Sequence, residues 1–220
     1  MKKHLLIATL IAAAAGFVTA QVASPGRVPI GQIAGQLVGQ INFDAERNAR
    51  FAVYYTAITG VPTEALFNGT EQSEKTAKVT VVSAPLKVDL TRVGAVLQGR
   101  AIPVNSDAVR YSVYINDVPS NRDLSRTETF ENGRLVATFR SRNVSISAIP
   151  LMTAEGQGVL ELEKSEDFFL GGVRVNLSQM GEAVRIHLYG GPTPAGRSDA
   201  PELAFAVSGY GVAVNGAPRQ

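Results

Sequence analysis

From Gly31 onward the chain alternates oily and polar residues with a period of two, and that rhythm restricts it to extended structure. Odd positions from Gly31 to Phe43 read Gly, Ile, Gly, Leu, Gly, Ile, Phe, and even positions from Gln32 to Asp44 read Gln, Ala, Gln, Val, Gln, Asn, Asp. A strand with one dry and one wet face carries this pattern. Phe51, Val53 and Tyr55 alternate with Ala52, Tyr54 and Thr56, and Leu86, Val88 and Leu90 with Lys87, Asp89 and Thr91. Further runs occupy 111–115, 135–139, 144–148, 184–188 and 203–207, and β-branched and aromatic residues dominate them.

The punctuation between runs fits sheet. Asn132-Gly133 lies between Thr127–Phe130 and Leu135–Phe139 and predicts a tight hairpin. Pro62, Pro85, Pro103, Pro119, Pro150 and Pro192 fall at or between the ends of runs, where a missing backbone donor costs least. Helical patterning is scarce, and Pro62–Phe67 is the best candidate for a single turn. About ten to twelve strands at this spacing predict an all-β fold, a single antiparallel β-sandwich or β-barrel domain. No composition shift divides the chain, so one domain is expected over 30–215, with a flexible segment at 21–29 and a disordered tail at 216–220. Two polar or glycine- and proline-rich loops stand out, Asn68–Lys78 and Gly190–Pro201.

The first twenty residues have a different character. Lys2, Lys3 and His4 precede an apolar run from Leu5 to Val18, and Val18-Thr19-Ala20 places small residues where a signal peptidase reads them. This order and length predict a cleaved secretory signal over 1–20, with Gln21 as the mature N-terminus. The run is short for the ~20 apolar residues of a spanning helix, so no transmembrane segment is expected in the mature chain. The expected location is periplasm, cell surface or extracellular space.

Removing 1–20 takes away two lysines and no acids, leaving 19 basic side chains (21 − 2) against 19 acidic ones. A neutral balance supplies no electrostatic attraction to nucleic acid, so no nucleic-acid partner is expected. Cysteine is absent. That excludes disulfides, thiolate catalysis and cysteine-ligated metals, and a chain this long buries a core without such staples.

Candidate chemistry is sparse. The mature chain holds one histidine, His187, on an alternating run that puts Arg185, His187 and Tyr189 on one face. A serine-type triad needs a serine and an acid beside it, and Ser208 lacks the glycine two positions earlier that a nucleophile turn requires. One histidine and no cysteine cannot form a typical structural zinc site. The segment Asn116–Asp123 concentrates oxygen donors that suit calcium, although its spacing is not that of an EF-hand and Asn and Asp also dominate ordinary turns. Glu161 and Glu163 share one side of an expected strand, followed by Glu166 and Asp167; a carboxylate pair of this kind could do acid–base work or form a wet edge. Sequons occur at Asn68, Asn143 and Asn176. These patterns assign no catalytic, cofactor-binding or metal residue.

The repeat Gly31-Gln32, Gly35-Gln36, Gly39-Gln40 reads better as a strand than as a small-residue helix stripe, because three glycines in ten residues make a poor helix. It is expected either as the first strand of its own sheet or as a segment that joins a second copy, or another envelope protein, by strand addition over 31–43. The expected function is a non-enzymatic cell-envelope or surface role, structural, adhesive or in assembly. An apolar-ligand carrier and an exported hydrolase built around His187 or Glu161/Glu163 are the alternatives. An outer-membrane barrel fits poorly, because tryptophan is absent and an aromatic girdle would rest on few rings.

Overall fold

The computed structural model describes residues 25–46, 48–87, 102–103, 109–119, 121–149, 153–192 and 203–215. The expected signal peptide, the 216–220 tail and residues 193–201 of the second loop lie outside the described residues, as do residues 88–91 of the run that begins at Leu86. The described strands are β1 (Ile33–Phe43), β2 (Asn48–Ile58), β3 (Val79–Ser83), β4 (Leu86–Lys87), β5 (Ile102–Pro103), β6 (Arg110–Ile115), β7 (Arg134–Ile149), β8 (Thr153–Ser165), β9 (Phe168–Leu170), β10 (Val173–Val175), β11 (Ala183–Pro192) and β12 (Leu203–Val214).

Eight of them, β1, β2, β3, β6, β7, β8, β11 and β12, pair antiparallel in chain order, and β12 returns to pair with β1. Of the two architectures expected, the fold is therefore the barrel, closed and up-and-down. Strand β4 extends the pairing on β2 beyond β3, and β5 adds to β7. No helix among the described residues is long and apolar enough to cross a membrane.

The alternating faces of β1 land as the sequence implies, with one informative slip. A bulge between Ile33 and Gly35 inserts Ala34, which is 1% exposed, and turns Ile33 outward to 45% exposure. Beyond the bulge Leu37 sits opposite both Tyr55 and Gly209, and this level continues around the ring through Val53–Val81 and Val81–Val113. The inner wall is thus aliphatic and aromatic. The outer wall of β6, β7 and β8 carries Arg110, Arg140, Arg142, Glu161 and Glu163. That polarity is the reverse of a membrane barrel, whose lipid-facing wall is apolar.

One mouth is stoppered. β9 and β10 form a hairpin through Gly171-Gly172, both at positive φ (55° and 81°), which a two-residue type I′ turn requires. The hairpin and the following 3-10 turn Leu177–Met180 bury Phe168, Leu170, Val175, Leu177 and Met180. Val28 joins the same core, 5% exposed, its N–H donating to the Gln179 carbonyl at 2.8 Å. Within the segment expected to be flexible at 21–29, this contact holds Val28 while Gly26, Arg27 and Pro29 are exposed.

The predicted turn at Pro62–Phe67 forms as a 3-10 turn over Thr63–Leu66. The predicted hairpin at Asn132-Gly133 does not form. Thr127–Glu131 is instead a 3-10 turn pinned to the outer wall, with Thr80 Oγ1 donating to the Phe130 carbonyl at 2.7 Å, and β6 rather than 127–130 pairs with β7. The runs at 135–139 and 144–148 belong to one strand, β7, broken in register between Arg142 and Ser145, where Asn143 sits at φ 51°.

Close strand approach is met by glycine. A Cβ on Gly39 would strike the backbone of Ala52 and Val53, and one on Gly209 would strike the His187 carbonyl, although neither glycine has a positive φ. Their role is to let strands β2 and β11 come within reach of the strands that close the ring. We expect Gly39→Ala and Gly209→Ala each to cost about 2–3 kcal/mol in urea unfolding, as for overpacked interiors. Gly191→Ala meets open space and should stay within ~0.5 kcal/mol of wild type.

Candidate functional site

Three places could hold chemistry: the barrel interior, the outer wall around His187, and the loop layer from Asn116 to Glu131. Among the described residues the interior is apolar. Leu37, Tyr55, Val81, Val113, Phe139 and Ile186 surround a space of about 30 Å³ above Met180. A space of that size holds roughly one or two waters, whereas small-molecule pockets run to roughly 300–1,000 Å³. Tyr55 and Tyr111 stand in this core, and burial pushes both hydroxyls well above the usual phenol range. The Tyr111 hydroxyl has no hydrogen-bond partner.

On the outer wall Glu161 and Glu163 lie in an ion-pair ladder and not in a cleft. Glu163 accepts from Arg110 Nε at 2.9 Å and faces Arg140 at 3.9 Å, while Glu161 pairs with Arg142 Nε at 2.9 Å. Arginines projecting from β6 and β7 fall opposite these acids because the register brings Arg140 level with Glu161. Glu166 is held below the usual carboxylate range by its hydrogen bond and charge interaction with Lys164 and by Arg134. Asp167 is held low by Asn176 first and by Arg174 second, both of which donate to it. All four acids are committed to arginine, lysine or amide partners.

His187 sits on the convex outer wall with 22% of its side chain exposed. Its ring stacks on Tyr210, centroids 5.4 Å apart and planes 14° apart. Nδ1 lies 3.7 Å from Glu155 Oε1, too far for a hydrogen bond, and has no partner. Tyr189, two residues on, is raised above the phenol range chiefly by the Glu155 charge, with burial and Tyr210 adding to it. Ser208 stands opposite Tyr189 across the β11–β12 ladder, and Tyr210 opposite His187. A glutamate, a histidine and a serine are therefore neighbours on one face, but no hydrogen bond links them in series as a triad needs.

The loop layer uses its oxygens internally. Asn116 Oδ1 accepts from the Val118 N–H at 3.0 Å, and Asp123 Oδ1 accepts from both the N–H and the hydroxyl of Ser125. Ser120 lies outside the described residues. Among the described residues no group of three or more His, Asp or Glu is placed to hold a metal ion. Of the sequon asparagines, Asn68 and Asn143 are exposed, while Asn176 donates to Asp167 and accepts from the Ser178 N–H. The Asn68–Lys78 loop is closed on itself, with Asn68 N–H donating to the Thr76 carbonyl and Lys78 N–H to that of Leu66.

The residue that sequence patterning passed over is Arg122. It is 2% exposed, and all three guanidinium nitrogens lack a hydrogen-bond partner. Burial pulls its pKa down to about 10, which leaves it charged at neutral pH. Nothing in Ser120-Asn121-Arg122-Asp123 distinguishes it from a surface arginine, because its burial depends on how the loop lies against the barrel.

Compared with protein families, with curated proteins and with solved structures, the chain matches none.

Three outcomes test this description. Tyr111→Phe removes an unsatisfied buried hydroxyl and should raise stability by about 1 kcal/mol in urea melts. Because the folded-state pKa of Tyr55 and Tyr111 is raised, their contribution is intact below the unfolded value and is lost as pH rises past it; each should remove about 1.4 kcal/mol per pH unit above pH ~10. Urea melts at pH 9 and 11 read this loss. On the ladder, Glu163→Gln should change stability by less than ~1 kcal/mol, with the difference shrinking in high salt.

Proposed function

We propose that the protein is an exported, non-enzymatic component of the cell envelope that acts through its outer surface and loops, in a structural, adhesive or assembly role. The observation that carries this reading is the packed core: among the described residues the free space between the aliphatic and aromatic side chains above Met180 is about 30 Å³, far below the size of a small-molecule pocket. The acids of the outer wall are tied to cations, which argues against a general acid or base among them. Export rests on the basic, apolar and small-residue order of the first twenty residues.

Strand addition through 31–43 is the less favoured form of an assembly role. Both edges of β1 are hydrogen-bonded within the barrel, to β12 and to β2, so a second chain would have to open one of those ladders. Surface contacts leave the ring intact and fit the closed fold better.

Expression of the full chain in a bacterial host, with fractionation, N-terminal sequencing and native mass spectrometry, tests both halves of the reading. The expected product lies outside the cytoplasm, begins at Gln21 and has the mass of the bare polypeptide. Uncut protein retained in the cytoplasm would contradict export. A stoichiometric apolar molecule on the purified barrel would replace this reading with that of a carrier.

A further inference from the structure

Residues 116–131 leave β6, cross the outer wall of the barrel and return to β7. The crossing is fastened at both sides: Asn42 on β1 donates to the Leu124 carbonyl at 2.7 Å, Arg50 on β2 pairs with Glu131 at 2.6 Å, and Thr80 on β3 donates to the Phe130 carbonyl. Thr80, bonded to it, is buried with Ala52 and Val82 although these residues belong to the outer wall, and Tyr54 beside them packs on Phe67. Within this layer stands Arg122, enclosed and without any hydrogen-bond partner on its three nitrogens.

A buried cation left unpaired costs several kcal/mol in a folded protein, by the general magnitude of such desolvation. Folded proteins retain such a group where it recognises an anion. The guanidinium fork offers parallel N–H donors matched to two oxygens on one carbon or phosphorus atom. Charge selects between them. A monocarboxylate neutralises one buried guanidinium, whereas a phosphate near its second ionisation brings up to two charges, and Arg122 is the one buried cation among the described residues. Acidic neighbours do not fill the role: Asp123 bonds to Ser125, and Glu131 is paired with Arg50.

We propose that Arg122 is the anchor of a binding site for a small monocarboxylate beneath the 116–131 crossing. Entry needs only local release of the crossing, whose fastenings are a few hydrogen bonds and one exposed ion pair, and the barrel ring is untouched. The site lies outside the barrel interior and does not depend on the export reading. It makes the loop layer, and not the barrel lumen, the place where this protein meets a ligand.

The test is titration of the full chain with sodium acetate against sodium chloride at matched ionic strength and pH 7, read by arginine Nε–H resonances and by the thermal midpoint. One arginine resonance should shift saturably with acetate and not with chloride, and that resonance should be missing from Arg122→Lys. The midpoint should climb with acetate in the wild type, as mass action requires, and the climb should be lost in Arg122→Met and reduced in Arg122→Lys. Should Arg122→Met fail to fold, the wild-type resonance and the lysine variant still decide. The proposal is overturned if no arginine resonance responds to acetate, if phosphate moves the resonance and acetate does not, or if Arg122→Met keeps the full acetate response.

Discussion

A ring of eight antiparallel strands closes only where its first and last members come near enough to pair, and here the meeting falls on β1. That strand exchanges backbone hydrogen bonds with β12 on one edge and with β2 on the other. Gly39 of β1 has no room for a methyl group against β2, and Gly209 of β12 has none against β11. Once the ring is shut, every inward residue is committed to a common core and every outward residue to solvent or to the layer of loops laid over the wall. Closure also removes the exposed edges that an open sheet of this length would present to other chains.

From that division the placement of chemistry follows. Among the described residues the inside is packed around a void of about 30 Å³ beside Met180, with the β9–β10 hairpin buried at that end. The outside is patterned by register: arginines of β6 and β7 fall opposite the acids of β8, and Tyr210 of β12 falls opposite His187 of β11. Such ladders hold strands in alignment and keep the wall wet. Among the described residues the one charge withdrawn from this arrangement is Arg122, which lies on the loop between β6 and β7.

Strands with one wet face were legible from the sequence. β6 and β11 show the alternation in their burial, and in β1 the pattern misleads at the bulge at Ala34 and at Asn42, which is buried against Leu124. β3 was not legible, because Val79, Thr80, Val81, Val82 and Ser83 are all buried, the outer face being covered by the 116–131 crossing. A strand dry on both sides has no period to read. The Asn132-Gly133 signal failed for the same reason: Phe130 is drawn into the layer over Thr80, and that packing outweighs a local preference for a hairpin. Arg122 was invisible because burial of a loop residue is a tertiary fact. His187, Ser208, Glu161 and Glu163 were visible as residue types, but which of them stand side by side is decided by strand register.

Amide hydrogen exchange along β1 measures ring closure most directly. Successive residues of a strand direct their N–H groups to opposite edges, so a strand paired on both sides protects consecutive amides, while an edge strand protects every second one. Closure predicts slow exchange at Leu37, Val38, Gly39, Gln40 and Ile41 alike. Fast exchange at alternate members of that run, with the others protected, would mean that the sheet is open at β1, and the account of the interior, the wall and the loop layer would fall with it.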